Sequence, residues 1–279
     1  MASRFALLGH PVAHSLSPVM HEASFRALKL DATYECIDVP PGAVSAALEQ
    51  CRRDGFSGLN VTVPHKQETY RALERLDVSA RRVGAVNTVR FDPDGGMTGF
   101  NTDAAGFLAD LRSEFGLIPL GLRIMVVGCG GAGRALAIAC ALGGCSKLRL
   151  ANRTLERAER VAEEIAGFAA EGAAPAEVVP LPEWVAVARD SDLIVQATTA
   201  GMSDGSSALP AEAFRPGQYL YDIVYTSPVT PTMAVAKGAG AWVANGLGML
   251  VRQGAASFRI WTGREANVSA MRMAVEKRN

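Results

Sequence analysis

Short apolar runs alternate along this chain with longer segments whose apolar residues fall at helical spacing. Phe5–Leu8 is an uninterrupted apolar run and predicts a first strand. Ser17-Pro18 opens a predicted helix that runs to about Leu30, with Ser17 as N-cap and Pro18 at the first helical position. Thr33–Val39 predicts a second strand, Pro41–Asp54 a helix, and Gly58–Val63 a third strand stopped by Pro64. Ala85–Phe91 and Met97–Phe100 flank Asp94-Gly95-Gly96, a hairpin turn signal.

A second block of the same kind follows. Asp103–Phe115 predicts a joining helix, and Leu122–Val127 a strand so apolar that both faces of its sheet must be covered. A glycine-rich turn leads into an Ala-rich helix, Arg134–Leu142. Lys147–Ala151, Leu193–Ala197, Leu220–Val224 and Ala241–Ala244 predict further strands, Glu164–Glu177 a helix end and surface loop, and Gly248–Glu276 a closing helical segment. The alternation predicts an α/β architecture with mostly parallel sheets. A length of 279 residues accommodates one large domain or two ordinary ones.

The glycine turn is the first chemical signal. Gly128-Cys129-Gly130-Gly131-Ala132-Gly133 fits G-x-G-x-x-G, and it stands between a predicted strand and a helix, the context that gives the motif meaning. Gly128 makes the tight turn, Gly130 lets backbone approach a pyrophosphate, and Gly133 lets the helix pack close to the sheet. The free N–H groups at the helix start favour a diphosphate. This is the fingerprint of a Rossmann dinucleotide-binding domain. An NAD site places Asp or Glu at the end of the next strand to bond the ribose 2′-hydroxyl. Here Asn152-Arg153-Thr154 stands there, followed by Arg157. Two guanidinium groups suit a 2′-phosphate, which favours NADP. The plain alternative for Arg157 is a solvated helix face.

Polar residues also gather at predicted strand ends in the first half, where open α/β sheets bind ligands. His14-Ser15-Leu16-Ser17 follows the first strand; Asn60, Thr62, His65 and Lys66 fall at the end of the third; Asn101-Thr102-Asp103 follows the hairpin, with Asn87 on the strand before it. Hydroxyls, amides, one amine and one carboxylate together suit a small polyhydroxylated substrate. Singly, each has a plainer role: Ser17 or Asp103 as a helix cap, Asn60 and Thr62 bonding loop backbone, Lys66 on the surface.

Composition narrows the field. Lys plus Arg and Asp plus Glu each number 28, so the formal net charge is zero and no basic excess suggests nucleic acid. No apolar stretch predicts a membrane span, and none at the start predicts a secretory signal. The five cysteines form no C-x-x-C pair, which fits a reducing cytoplasm. The four histidines (His10, His14, His21, His65) lack metal-site spacing, so no metal is expected.

Ser15-Leu16-Ser17-Pro18, Asn60 through Lys66, Gly84-Ala85-Val86-Asn87-Thr88, Asn101-Thr102-Asp103, Asn152-Arg153-Thr154 and Asn245 through Gln253 together resemble the signature blocks of the shikimate dehydrogenase family, in the family's order and over nearly the whole chain. The resemblance implies a substrate-binding and catalytic domain over residues 1–103, joined by returning helices over 246–279, and a Rossmann NADP domain over 104–245, with a cleft between. It implies that Ser15 and Ser17 hold a substrate carboxylate and that Lys66 and Asp103 form the catalytic pair. Asn60, Thr62, Asn87 and Gln253 match positions that bond substrate hydroxyls, and Tyr225 joins the substrate set. Asn152, Arg153 and Arg157 match 2′-phosphate contacts, and Ile223 and Gly246 positions near the nicotinamide. Gly131, Ala132, Thr154, Thr198 and Met249 complete the cofactor set. Leu16 and Asn245 depart from many relatives, which carry Lys and Asp there.

The implied activity is NADP-dependent reduction of 3-dehydroshikimate to shikimate in aromatic amino acid and chorismate biosynthesis, by a monomer or homodimer. Lys66 serves as acid in reduction and base in oxidation, or stays charged and stabilises the alkoxide. Quinate or aminoshikimate dehydrogenases use the same scaffold. A catalytically silent NADP-binding regulator has no need of a proton-transfer pair, and a folate-linked dehydrogenase has no need of the Ser15/Ser17 pair.

Overall fold

A computed structural model describes residues 2–203 and 205–278, so Met1, Asp204 and Asn279 lie outside the described residues. The chain divides into two compact units, one of Met1–Gly106 with Leu250–Arg278 and one of Phe107–Met249.

The first unit contains β1 (Ser3–Gly9), α1 (Ser17–Ala27), β2 (Ala32–Asp38), α2 (Val44–Arg53), β3 (Gly58–Val61), α3 (Lys66–Ala72), β4 (Arg75–Leu76), α4 (Val78–Val83), β5 (Thr88–Phe91) and β6 (Met97–Phe100). Its strands lie in the order β2-β1-β3-β5-β6-β4. β1 pairs in parallel with β2 and β3; β5 runs antiparallel to β3 and β6. The hairpin turns at Gly95, whose φ of 83° suits glycine. Apolar residues of β1, β3 and α2 (Ala6, Leu8, Leu59, Val44, Leu48) fill one core. Aromatic rings fill another region, where Phe5 stacks on Trp261 at 4.9 Å.

α5 (Asp103–Phe115) leads into the second unit. There follow β7 (Arg123–Val127), α6 (Gly131–Leu142), β8 (Lys147–Ala151), α7 (Leu155–Ala166), β9 (Ala176–Val179), α8 (Trp184–Asp190), β10 (Leu193–Gln196), β11 (Tyr219–Asp222), α9 (Pro231–Gly238) and β12 (Trp242–Asn245). All pairings in this sheet are parallel, in the order β12-β11-β10-β7-β8-β9. That is the doubly wound Rossmann order, whose topological switch point lies between β7 and β10. Ile124 through Val127 and all of β10 are buried, as strands covered on both faces must be. α10 (Leu247–Thr262) and α11 (Val268–Glu276) end the chain, and α11 packs on α1.

The α/β architecture with parallel-rich sheets is the one the apolar pattern predicts; several local details differ. Leu16, not Ser17, precedes α1, and no side chain caps it. Instead the Ser15 hydroxyl accepts the Ser17 N–H at 3.1 Å, an alternative local bond that frees Ser17 to be helical. The stretch read as a helix end and loop, Glu164–Glu177, runs into β9, an edge strand whose half-exposed residues lack an apolar run. α3, β4, α4, α8 and α9 carry no periodic signal long enough to read. The closing helical segment is two helices, parted at Gly263 with φ of 67°.

Candidate functional site

In the first unit, the turn after β3 starts α3 at Lys66, and the end of β6 leads through Asn101-Thr102 into Asp103 at the start of α5. The Lys66 Nζ donates to Asp103 Oδ2 at 2.7 Å; the two side chains are 23% and 9% exposed. Asp103 Oδ1 accepts from Asn87 Nδ2 at 2.8 Å. The Asn87 Oδ1 accepts the Thr102 backbone N–H at 2.9 Å, a group that can only donate, so the amide is held with its nitrogen toward Asp103. Asn101 Oδ1 accepts the Asp103 N–H at 3.1 Å and fixes that residue's backbone. Both Asp103 oxygens are engaged, each with one lone pair left for a ligand.

Below this array lies a buried polar layer. Asn60 Nδ2 faces the Asn87 carbonyl, Thr88 Oγ1 and Ser257 Oγ at 3.1, 3.2 and 3.0 Å, and its Oδ1 accepts from the Tyr34 hydroxyl at 2.9 Å. Thr88 and Ser257 hydroxyls are 2.7 Å apart. Gln253, one helical turn before Ser257 on α10, donates through Nε2 to the Leu250 carbonyl at 2.9 Å, and its Oε1 lies 3.4 Å from Thr102 Oγ1. Gly106 permits this approach: a Cβ there would come 2.7 Å from Gln253 Cβ and 2.8 Å from its backbone nitrogen. Thr62 is half-buried at the end of β3, and its hydroxyl has no partner among the described residues.

In the second unit, β7 runs into Gly128, whose φ of 102° requires glycine. A Cβ on Gly133 would lie 1.8 Å from the Gly128 carbonyl oxygen, so helix and turn could not close with any other residue. At Gly130 and Gly131, at the start of α6, a Cβ would meet nothing within 4 Å, so the surface of the loop is open there. Asn152 at the end of β8 braces this loop: Oδ1 accepts the Cys129 N–H at 3.0 Å and Nδ2 donates to the Thr154 carbonyl at 2.7 Å. Arg153 and Arg157 are exposed, and among the described residues neither guanidinium has an ion-pair partner.

Three family models cover most of the chain: one described as the shikimate dehydrogenase substrate binding domain over residues 7–89, one as shikimate/quinate 5-dehydrogenase over 115–204, and one as the shikimate 5′-dehydrogenase C-terminal domain over 246–276. The curated shikimate dehydrogenase (NADP(+)) of Moorella thermoacetica is 46% identical over 271 residues, covering 95% of this chain and 90% of its own. The chain belongs to the shikimate dehydrogenase family. Among solved structures, the family member from Thermus thermophilus in complex with NADP(H) and shikimate is 42% identical, with a TM-score of 0.88 and 99% of both chains covered. A quinate dehydrogenase from Corynebacterium glutamicum in complex with NAD is similar at 29% identity, with a TM-score of 0.92 and 99% of both chains covered.

Within this shikimate dehydrogenase family chain, the sequence-predicted residues Lys66, Asp103, Asn87, Asn60 and Gln253 stand in one bonded array. Ser17 is buried at the start of α1. Ser15 serves α1 through its hydroxyl, as above. Thr198 donates its N–H to Gln196 Oε1 at 2.5 Å. A Cβ on Gly246 would lie 2.1 Å from the Ile223 carbonyl oxygen, which places those two residues in direct contact. Met249 is buried on α10, and Tyr225 is half-buried, burial pushing its phenol pKa up. The loop fits a dinucleotide diphosphate, because its glycines leave space where side chains would stand. Cys129 is buried and its thiol is pushed up to about 12, so it packs as a small apolar residue.

Sequence reading missed Tyr34, Thr88 and Ser257. They stand on β2, β5 and α10, and for Ser257 the available signal is its spacing of one helical turn from Gln253. The histidines scatter. His65 is buried and donates through Nε2 to the Val39 carbonyl at 2.7 Å, pinning the turn before Lys66 to the end of β2. His10 lies 2.9 Å from Asp38 at the surface. Among the described residues, no group of three or more His, Cys, Asp or Glu side chains is placed to hold a metal ion.

His21 is fully buried on α1, its ring stacked 4.5 Å from that of Tyr34. Burial lowers its pKa to about 3, partly offset by Asn60. The unfolded chain therefore takes up a proton below about pH 6.5 that the folded chain refuses, so this contribution to stability is present above pH 6.5 and lost as pH falls toward 3. The loss reaches about 2 kcal/mol at pH 5. Urea unfolding at pH 7 and pH 5 checks this: in His21→Phe the difference between the two pH values should shrink by about that amount. An unchanged pH dependence in the variant would assign the acid sensitivity elsewhere.

Proposed function

We propose that this chain is an NADP-dependent shikimate dehydrogenase that interconverts 3-dehydroshikimate and shikimate, acting in the cytoplasm in aromatic amino acid and chorismate biosynthesis. The observation that carries the reading is the Lys66–Asp103–Asn87 array, in which an amine is presented by a carboxylate whose two oxygens are both oriented. When bound, NADPH would supply the hydride to the ring carbonyl, and NADP+ would accept it in the reverse direction. Lys66 donates a proton to the carbonyl oxygen in reduction and removes it from the hydroxyl in oxidation. Asp103 holds the amine and uses its remaining lone pairs to accept a ring hydroxyl.

Asn60, Thr62, Asn87 and Gln253 bond the other hydroxyls, Ser15 and Ser17 hold the carboxylate, and Tyr225 belongs to the substrate set that the family resemblance implies. Gly128, Gly130, Gly131, Ala132 and Gly133 cradle the diphosphate with backbone N–H groups. Arg153 and Arg157 take the 2′-phosphate, with Asn152 and Thr154 shaping the turn that presents them. Thr198, Ile223, Gly246 and Met249 line the nicotinamide end. Absence of a carboxylate at the end of β8 and the two unpaired guanidinium groups favour NADP over NAD.

The test is the absorbance of reduced nicotinamide, followed with purified protein, NADP or NAD, and shikimate or quinate. Rapid reduction with NADP and shikimate is expected. A preference for quinate or NAD would keep the array and change the substrate or cofactor; no turnover with any pair would remove the reading.

A further inference from the structure

The geometry points to Asp222 as a positioning residue that locks the two segments expected to flank the nicotinamide, an inference that rests on the NADP reading above. Asp222 is the last residue of β11 and lies beside Gln196, the last residue of β10, in the parallel register. Both side chains are fully buried.

Three hydrogen-bond donors converge on the Asp222 carboxylate. Oδ1 accepts from Gln196 Nε2 at 3.2 Å and from the Val224 N–H at 3.0 Å; Oδ2 accepts from the Thr230 hydroxyl at 2.6 Å. Thr230 in turn accepts the Met233 N–H at 3.1 Å and so caps α9. Gln196 carries the link across to β10: its Oε1 accepts the Thr198 N–H at 2.5 Å. One carboxylate thus fixes the exit of β11, the start of α9 and, through Gln196, the exit of β10. Those exits carry Ile223, Tyr225 and Thr198. They also touch the glycine turn, for a Cβ on Gly128 would meet the Ala197 backbone and Thr198 Cγ2, each at 2.8 Å.

The carboxylate has no salt bridge to a cation among the described residues, only neutral donors. Burial raises its pKa, against the bonds from Thr230, Val224 and Gln196. A leucine would fill such a site at lower electrostatic cost. What an apolar side chain cannot do is accept three bonds from three separate segments at once, and that sets the loop conformation.

A purely structural role and a positioning role predict different losses. NADPH spans both the glycine loop and the β10 and β11 exits. Adenosine 2′,5′-bisphosphate carries the 2′-phosphate for Arg153 and Arg157 but has no nicotinamide. In fluorescence titrations of the full chain, Asp222→Ala is expected to weaken NADPH by about tenfold or more, the equivalent of one lost hydrogen bond's worth of order. By competition, its affinity for adenosine 2′,5′-bisphosphate should stay within about twofold of the wild type. Asp222→Asn should recover NADPH binding to within about threefold, because its oxygen still accepts from Val224 and Gln196 and its amide nitrogen can donate to Thr230. Gln196→Ala removes the bond to Asp222 and with it the link to Thr198, leaves the Asp222 bonds to Val224 and Thr230, and should show the same split if Asp222→Ala does not fold.

Equal weakening of both ligands, or wild-type NADPH binding in both alanine variants, would make Asp222 a fold support and overturn the assignment. A wild-type chain that binds the bisphosphate but not NADPH would overturn the cofactor reading itself, which is a separate result.

Discussion

Lys66→Met is expected to lower kcat about 1000-fold while the KM for shikimate stays within about threefold. Methionine keeps an unbranched stem of similar length at the start of α3, so the packing of that turn is preserved. It removes the cation bonded to Asp103, the Nζ at 2.7 Å. Asp103 does not collapse, because Asn87 still bonds Oδ1 and Asn101 still holds its backbone. Ground-state bonds to the ring hydroxyls therefore persist, and the loss falls on proton transfer and on stabilisation of the alkoxide, both of which matter only in the transition state. Steady-state kinetics in both directions measure this. A variant turning over within about tenfold of the wild type would remove Lys66 from the chemical step.

Joint replacement of Arg153 and Arg157 by alanine is expected to raise the KM for NADP by about 100-fold and to leave that for NAD within about threefold. Each guanidinium forms charge-assisted bonds to a phosphate, of order 1.5–3 kcal/mol apiece before solvent screening of these exposed side chains. Among the described residues neither arginine has a carboxylate partner that would compete with the phosphate. NAD lacks the 2′-phosphate and should not register their loss. Initial rates with both cofactors at fixed shikimate give the ratio, and a parallel change for NADP and NAD would place the arginines outside the 2′-phosphate site. Higher salt should mimic part of the effect, because exposed charges are screened.

How much of the site is legible in the linear chain depends on whether a residue's role is local. Gly128 and Gly133 are legible because a turn with φ of 102° and a helix packed onto the preceding carbonyl both exclude a side chain, and the spacing alone shows this. Residue by residue, Lys66 and Asp103 are legible as polar groups at predicted strand ends, and as a pair only through the family resemblance, because the pairing brings together residues 37 positions apart. Tyr34 is not legible, and Ser257 is hinted at only by its spacing of one helical turn from Gln253. Ser257 bonds Asn60 across 197 positions and Tyr34 bonds it across 26, and neither sits in a local pattern that points at the partner. Asp222 is similar: a carboxylate at a strand end reads equally well as a cap, and only the buried convergence of Gln196, Val224 and Thr230 gives it another role.

The sequence by itself determined the alternation of elements, the α/β class, the dinucleotide-type turn and the family, because strand and helix periodicities, turn glycines and short motifs are written in neighbouring residues. Only the tertiary structure decided that β5 enters the first sheet antiparallel to β3 while the second sheet is wholly parallel, that Ser15 rather than Ser17 bonds the start of α1, and that the amides of Asn87 and Asn60 each face one way. Those outcomes depend on which distant donors and acceptors are buried together, and a buried polar group takes the orientation that leaves none of its partners unbonded.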